Sequence, residues 1–209
     1  MDVIISELTS VIDKQTYSDI KHKLRHPDRY QWTDTKMTKA LDSFHRSGLD
    51  KILASWTPIL AGTIPIGISV PGSDLDVICA SKSPKDVPDC ILKYKDKLHP
   101  DLKIKSVRYP DKNFKTSLIE MSFEGLPVEV YVDTKPTDQQ NAFRHMLIEA
   151  LLLELRQDLR AEVIRLKKQG IKTEPSFGIA LGLCDKGREN ESYQILLDLL
   201  ARLENEWAL

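Results

Sequence analysis

The sequence predicts an α+β fold, in which a mixed β-sheet lies between N-terminal helices and a C-terminal helical part. Apolar residues recur at helical spacing through residues 2–56. Short apolar or alternating segments, typical of strands, follow over residues 57–133, and helical spacing returns from about residue 137. Separate runs of helices and strands favour α+β over a doubly wound sheet. We expect a core with N-terminal helices over residues 1–135 and a helical subdomain over residues 136–209.

The individual helices and strands are predicted from the spacing of apolar residues and from the turn residues between them. Alternation, β-branched residues and flanking turn residues predict five strands at Pro58–Ala61, Leu75–Cys79, Leu102–Tyr109, Phe114–Phe123 and Val128–Val132. A helix over Val87–Leu98 follows Ser83-Pro84. Beyond the last strand, a helix over Thr137–Leu155 precedes three further helical segments, with breaks predicted near Gly170, Pro175 and Gly187.

Composition excludes several classes of protein. The 209 residues carry a formal net charge of −1, which gives no indication of nucleic acid as a partner. Residues 82–115 are locally basic, which fits a solvated surface or a rim that attracts a polyanion. Three cysteines without a CxxC pair favour reduced thiols and a cytoplasmic location. No signal peptide and no run of about 18 apolar residues is seen, so we expect no membrane partner.

Paired carboxylates at the start of the second strand are the first candidate for chemistry. Asp74 and Asp76 are two residues apart, and side chains in a strand alternate, so both carboxylates point to one face. Two like charges on one face repel unless a cation lies between them. Mg²⁺ prefers oxygen ligands and is often held by one or two carboxylates together with substrate phosphates.

A third carboxylate comes from the last predicted strand. Glu129 lies inside an apolar run, where an unpaired carboxylate is costly to bury. Asp133, four residues on, shares its face and is the alternative. If the two strands are neighbours, the cluster of Asp74, Asp76 and Glu129 can hold two Mg²⁺ ions about 3.5–4 Å apart, an arrangement suited to in-line phosphoryl displacement.

The residues before Asp74 have the properties of a phosphate-binding turn. Gly62 ends the first strand and lets a phosphate approach the backbone closely. Thr63 offers a hydroxyl and an amide to a phosphate oxygen. Gly67 and Gly72 allow the loop to turn back towards Thr63, and Ser73 is placed to form hydrogen bonds near the carboxylates.

Read together, Gly62-Thr63 and Gly72-Ser73-Asp74-Leu75-Asp76-Val77 resemble the signature of the polymerase-β-like nucleotidyltransferase superfamily. That signature is Gly-Ser, a loop of about ten residues, then Asp-x-Asp at the start of a strand and a later acidic residue. The resemblance covers residues 57–133. It implies Mg²⁺-dependent transfer of a nucleotidyl group from an NTP to an acceptor. Gly-Thr-x-Pro-Ile-Gly-Ile and the segment 140–146 further resemble an uncharacterised bacterial family placed in this superfamily.

Departures from the signature leave alternatives open. Ile64-Pro65-Ile66 stands where minimal nucleotidyltransferases often carry polar or basic residues, which favours a non-catalytic nucleotide-binding module as the second hypothesis. A regulatory partner protein of the toxin–antitoxin kind is the third, because minimal nucleotidyltransferases occur in such pairs. On the helix after the sheet, Arg144 is a candidate phosphate contact or a surface arginine. His145, Gln140 and Asn141 are candidate substrate contacts or structural residues. The acceptor, the choice of NTP and the oligomeric state stay open.

Overall fold

A computed structural model describes residues 2–112, 115–184 and 187–207. The N-terminal helices are α1 (Asp2–Val11), α2 (Lys14–Arg25), α3 (Thr35–Ser47) and α4 (Leu49–Leu53). The central elements are β1 (Ile59–Ala61), β2 (Leu75–Ala80), α5 (Asp86–Lys93), β3 (Leu102–Arg108), β4 (Ser117–Phe123) and β5 (Leu126–Asp133). The C-terminal helices are α6 (Asn141–Leu155), α7 (Asp158–Lys168), α8 (Thr173–Ala180) and α9 (Ser192–Glu206).

Within the described residues, the five strands form one mixed sheet in the order β1-β2-β5-β4-β3. β2 and β5 are parallel neighbours, whereas the pairs β1–β2, β5–β4 and β4–β3 are antiparallel. The strands alternate between buried and partly buried residues, so the sheet presents one face to each of two groups of helices. The predicted α+β fold is therefore confirmed.

Two apolar clusters lie on opposite faces of the sheet. One cluster joins the sheet to α3, α4 and α5, and includes Phe44, Val77 and Val130. The other is formed mainly by α1, α2 and α6–α9, and includes Leu8 and Phe143. The helix α6 is buried over most of its circumference, which explains its nearly continuous run of apolar residues.

Helix boundaries are set by local side-chain chemistry. Asp13 caps α2 by accepting a hydrogen bond from the amide of Thr16 at 2.7 Å, and Asp34 caps α3 through the amide of Lys36 at the same distance. Such caps satisfy amides that have no partner within the helix. Gly48 ends α3 with a φ of 82°, a conformation that glycine adopts at little cost.

Several predicted boundaries differ from the structure. Pro175 does not break a helix, because it lies in the first turn of α8, where a missing amide costs no intrahelical hydrogen bond. The helix predicted to reach Leu98 ends at Lys93 and continues as a 3₁₀ turn over Lys95–Lys97. The predicted start of β4 at Phe114 lies outside the described residues, within which the strand begins at Ser117.

The N-terminal helices α1 and α2 pack against α6 and α9. A polar contact supports this packing, since the Tyr17 hydroxyl donates to Glu204 Oε1 at 2.7 Å and Arg144 Nη2 donates to Glu204 Oε2 at 3.1 Å. The predicted boundary between residues 135 and 136 stays a prediction, and both ends of the chain contribute to one helical cluster. Among the described residues, no helix has the length and apolar character needed to cross a membrane.

We expect Glu204→Ala to lower the free energy of unfolding by about 1–3 kcal/mol. The substitution leaves the Tyr17 hydroxyl, on a side chain only 3% exposed, without its acceptor, and it removes the anion paired with Arg144. Urea denaturation measures this loss. The matched control is Glu206→Ala on the same helix, where the side chain is exposed and a change within about 0.5 kcal/mol is expected. Equal losses in the two variants would contradict the assigned role of Glu204.

Candidate active site

The parallel pairing of β2 with β5 brings three carboxylates together. Asp76 lies directly opposite Glu129 in the register of the two strands, and Asp74 immediately precedes β2. One carboxylate oxygen from each of Asp74, Asp76 and Glu129 lies within 4.8 Å of the other two. The structure thus assembles the three carboxylates that the sequence predicted as metal ligands.

The electrostatics of this cluster favour a bound cation. Burial, followed by the nearby charges of Asp74 and Glu129, raises the pKa of Asp76 to about 8. Burial and then the charge of Asp74 also raise the pKa of Glu129. Both shifts show that negative charge is unfavourable here without a counter-charge. A divalent cation with oxygen ligands, such as Mg²⁺, fits this donor set.

Asp133, the alternative third carboxylate, lies at the other end of β5. It pairs with Ala80 rather than Asp76, four residues and roughly 13 Å further along the strand. Its carboxylate accepts from Thr134 Oγ1 and from the amide of Lys135, each at 3.3 Å. Asp133 therefore lines the same cleft as Glu129 but lies outside the cluster of three carboxylates.

Gly62 lies directly beneath the carboxylate of Asp76. Its φ is 77°, and a Cβ added at this position would come within 2.0 Å of Asp76 Oδ2. The antiparallel pairing of Ala61 with Asp76 explains the proximity, because Gly62 is the next residue along the chain. A glycine is required here both by the left-handed backbone and by the close approach of the carboxylate.

The loop between β1 and β2 is held in place from two sides. Arg160 of α7 donates to the carbonyl oxygen of Gly67 at 3.0 Å, and Lys36 of α3 donates to the carbonyl oxygen of Ser69 at 2.8 Å. The hydroxyl of Ser73 accepts from the amide of Val70 at 2.9 Å and so closes the turn before Asp74. Thr63 and Ser73 both face the cleft above the carboxylates.

A cleft of about 610 Å³ separates the carboxylates from the C-terminal helices. Its lining contains six carboxyl groups against three cationic side chains. The carboxyl groups belong to Asp74, Asp76, Glu129, Asp133, Glu149 and Glu174, and the cations to Arg108, Lys135 and Lys167. Volumes in this range are typical of small-molecule sites.

The side of the cleft formed by α6, α7 and α8, called here the helical wall, carries three charged residues that the sequence did not indicate as site residues. Lys167 of α7 lines the cleft, and its charge lowers the pKa of Asp76. Glu149 of α6 and Glu174 of α8 line the same wall. One signal was available for Glu149, since a carboxylate inside the apolar run of α6 is as unusual as Glu129 in β5.

The residues singled out at the start of α6 lie in different places. Gln140, Asn141 and His145 line the cleft. Gln140 donates through Nε2 to the carbonyl oxygens of Cys79 at 2.9 Å and Lys135 at 3.0 Å, which fixes its side chain. Arg144 points away and pairs with Glu204, so its position gives the predicted phosphate contact no support.

Solved structures with the same fold are nucleotidyltransferases by their descriptions. The structure of Cid1, described with an "RNA Terminal Uridylyl Transferase Activity", matches with a TM-score of 0.51 and 14% identity over 80% of this chain and 53% of that chain. A "Cytoplasmic RNA Terminal U-transferase" matches with a TM-score of 0.50 and 12% identity, over 80% of this chain and 51% of that chain. The chain therefore has the fold of these nucleotidyltransferases, and it spans about half their length.

The family of the chain is given by its sequence. Residues 42–199 match the family described as "Domain of unknown function (DUF4269)", so the chain belongs to that family. A comparison with curated proteins finds no match. The family description names no activity, and membership of the predicted bacterial family of nucleotidyltransferases stays a prediction.

If the three carboxylates bind Mg²⁺, the ion should stabilise the wild-type protein, and we expect Gly62→Ala to remove that stabilisation because the new methyl group displaces the carboxylate of Asp76. The matched control is Gly72→Ala, where φ is 88° and an added Cβ meets nothing within 4 Å. In both variants the free energy of unfolding should fall by about 1–2 kcal/mol, because alanine adopts the left-handed backbone conformation less readily than glycine. Thermal unfolding with and without Mg²⁺ distinguishes them, and an unchanged Mg²⁺-induced rise of Tm in Gly62→Ala would contradict this geometry.

We expect Asp76→Asn to stabilise the metal-free protein, and to do so more at pH 8 than at pH 5. The folded-state pKa of about 8 lies above the ordinary value of 3.8. Between these pH values Asp76 is ionised in the unfolded chain but protonated in the folded one, so the wild-type chain loses stability as the pH rises. The gain should be about 3–4 kcal/mol larger at pH 8, because each pH unit between these values contributes about 1.4 kcal/mol. Urea denaturation in EDTA measures it, with the exposed Asp198→Asn on α9 as control. A stability gain in Asp76→Asn that does not change with pH would contradict a raised pKa of Asp76 in the folded protein.

Proposed function

We propose that the protein is a Mg²⁺-dependent nucleotidyltransferase, which moves a nucleotidyl group from an NTP to an acceptor. The observation that carries the proposal is the cluster of Asp74, Asp76 and Glu129 beside the Gly62-Thr63 turn. This cluster lies in a cleft, on a fold shared with solved nucleotidyltransferases. The fold alone does not define an activity, so the proposal rests on this cluster.

Asp74, Asp76 and Glu129 are the residues proposed to hold Mg²⁺ in a two-metal site. Bound there, the metal would supply activation of the attacking oxygen and neutralisation of charge on the departing pyrophosphate. The protein's own contribution is to hold one oxygen of each carboxylate within 4.8 Å of the other two. Asp76 and Glu129 lie opposite each other on paired strands, and Asp74 immediately precedes β2. Side chains held on paired strands are positioned more accurately than side chains on loops.

Phosphate contacts are proposed for the turn and for the helical wall. Gly62, Thr63 and Ser73 form one side of the cleft, where Thr63 and Ser73 offer hydroxyl groups to phosphate oxygens. Lys167 supplies a positive charge from the opposite wall, which the apolar segment Ile64–Ile66 does not. Gln140, whose Oε1 has no hydrogen-bond partner among the described residues, is proposed to accept a hydrogen bond from the nucleotide or the acceptor.

The acceptor is best sought by experiment. The structural relatives are described as acting on RNA ends, which makes an RNA 3′ hydroxyl the first acceptor to try. A net charge of −1 favours neither RNA nor a small molecule. A panel of RNA, protein and small hydroxyl compounds, offered with each α-labelled NTP in turn, therefore covers the acceptors that this cleft admits.

We expect the double variant Asp74→Asn, Asp76→Asn to transfer label at least about 100-fold more slowly than the wild-type chain. The change keeps side-chain volume but removes two proposed metal ligands, and a catalytic metal contributes several kcal/mol to transition-state stabilisation. Label transfer and pyrophosphate release are measured in parallel, with circular dichroism to establish that the variant is folded.

A second pair of variants separates the two candidates for the third carboxylate. Glu129→Gln should lose activity like the double variant, whereas Asp133→Asn, on the same strand and in the same cleft, should retain most of it. Undiminished transfer by the double variant would overturn the proposal. Nucleotide binding that needs no Mg²⁺, without transfer to any acceptor, would instead support the non-catalytic binding module.

A further inference from the structure

A second group of metal-ligating side chains lies on the helical wall of the cleft. His145 and Glu149 are four residues apart on α6 and therefore share one face of that helix. Glu174, in the first turn of α8, meets them across the wall. One ligand atom from each of the three side chains lies within 4.8 Å of the other two. None of these residues belongs to the proposed Mg²⁺ cluster.

Two of these side chains are buried and lack partners. Glu149 is 3% exposed, and its Oε1 has no hydrogen-bond partner among the described residues. His145 is 7% exposed, and its Nδ1 is likewise unpartnered in the described part of the chain. An unpaired buried carboxylate costs several kcal/mol, so a residue of this kind is normally paired or bound to a metal. Both residues belong to the cluster with Glu174.

The neighbouring elements do not supply the missing partners. Lys167 of α7 donates to Thr173 Oγ1 at 3.0 Å and acts on Glu149 and Glu174 through space. Tyr193 of α9 presents its ring to His145 in a T-shaped contact, with ring centroids 5.9 Å apart. On α6 itself, Arg144 is paired with Glu204. Lys167 acts on both carboxyl groups, and Lys172 acts on Glu174, but no cation forms an ion pair with Glu149 or Glu174 among the described residues.

We propose that His145, Glu149 and Glu174 bind one divalent transition-metal ion, with Zn²⁺ as the best-fitting species. One imidazole nitrogen and two carboxylate oxygens form a mixed N/O set, which suits Zn²⁺ better than Mg²⁺. Three protein ligands would leave a fourth position open, and because all three residues line the cleft, that position would be accessible from the cleft. The assignment stands whether or not the protein transfers nucleotides.

We expect calorimetry to find one Zn²⁺ ion bound per chain in the Asp74→Asn, Asp76→Asn background, where the proposed Mg²⁺ cluster is disabled. In that background, Glu149→Gln should weaken binding by at least about 100-fold, since loss of even an outer-shell partner costs 10–100-fold. Glu154→Gln, an exposed residue on the same helix, is the matched control and should change binding by about twofold at most. His22→Ala, His26→Ala removes an adjacent surface histidine pair and should also leave binding intact.

A second measurement follows Zn²⁺ binding to the unaltered chain, and a variant serves only to assign the signal. With ¹⁵N-labelled histidine, Zn²⁺ should shift one imidazole signal at one equivalent, and His145→Gln should remove that signal from the spectrum. Retention of Zn²⁺ binding in Glu149→Gln would overturn the site. Loss of binding only in His22→Ala, His26→Ala, or no shift of the His145 signal, would overturn it equally.

Discussion

The pairing of β2 with β5 places Asp74, Asp76 and Glu129 together in spite of their mutual repulsion, and much of the structure serves to hold that arrangement. The carboxylates occupy one face of the two strands, whereas Leu75, Val77, Val128 and Val130 are buried on the other. Each such side chain contributes about 1.5–3 kcal/mol on burial. Burial of these four side chains stabilises the strand pairing that holds the carboxyl groups together, and the crowded carboxyl groups form a donor set that fits a cation.

The position of the Asp76 carboxylate also explains the conformation of the loop that precedes β2. Asp76 lies over Gly62, so the chain must leave β1 in a left-handed turn and return within about ten residues. Ile64 packs into the apolar cluster on one side of the sheet, and Ile66 and Ile68 pack into the other. The segment that departs from the nucleotidyltransferase signature is therefore an anchor, and its apolar character is needed for packing. Positive charge comes instead from Lys167, across the cleft.

The sequence predicted the sheet half of the site and little of the helical half. Side chains in a strand alternate strictly, so the spacing of Asp74 and Asp76, and the apolar run around Glu129, were enough to assign these carboxylates to one face. In a helix that is buried on nearly all sides, the sequence pattern does not show which way each side chain points. The orientations of Arg144 and His145 on α6 therefore could not be predicted. Lys167 lies more than 90 residues from Asp74, and only the packing of α7 against its neighbours brings them to one cleft.

Charge balance connects the two walls of the cleft. Six carboxyl groups face three cationic side chains, so full ionisation would leave the cleft with excess negative charge, and burial, followed by the charges of neighbouring carboxylates, raises the pKa values of Asp76 and Glu129. Burial raises the pKa of Glu174, and the charge of Glu174 in turn raises the pKa of Asp76, which shows that the two walls interact electrostatically. A divalent cation would allow these carboxyl groups to ionise and would offset the charge of a triphosphate in the same cleft. The excess of carboxyl groups over cationic side chains therefore supports the proposed metal dependence separately from the resemblance to known nucleotidyltransferases.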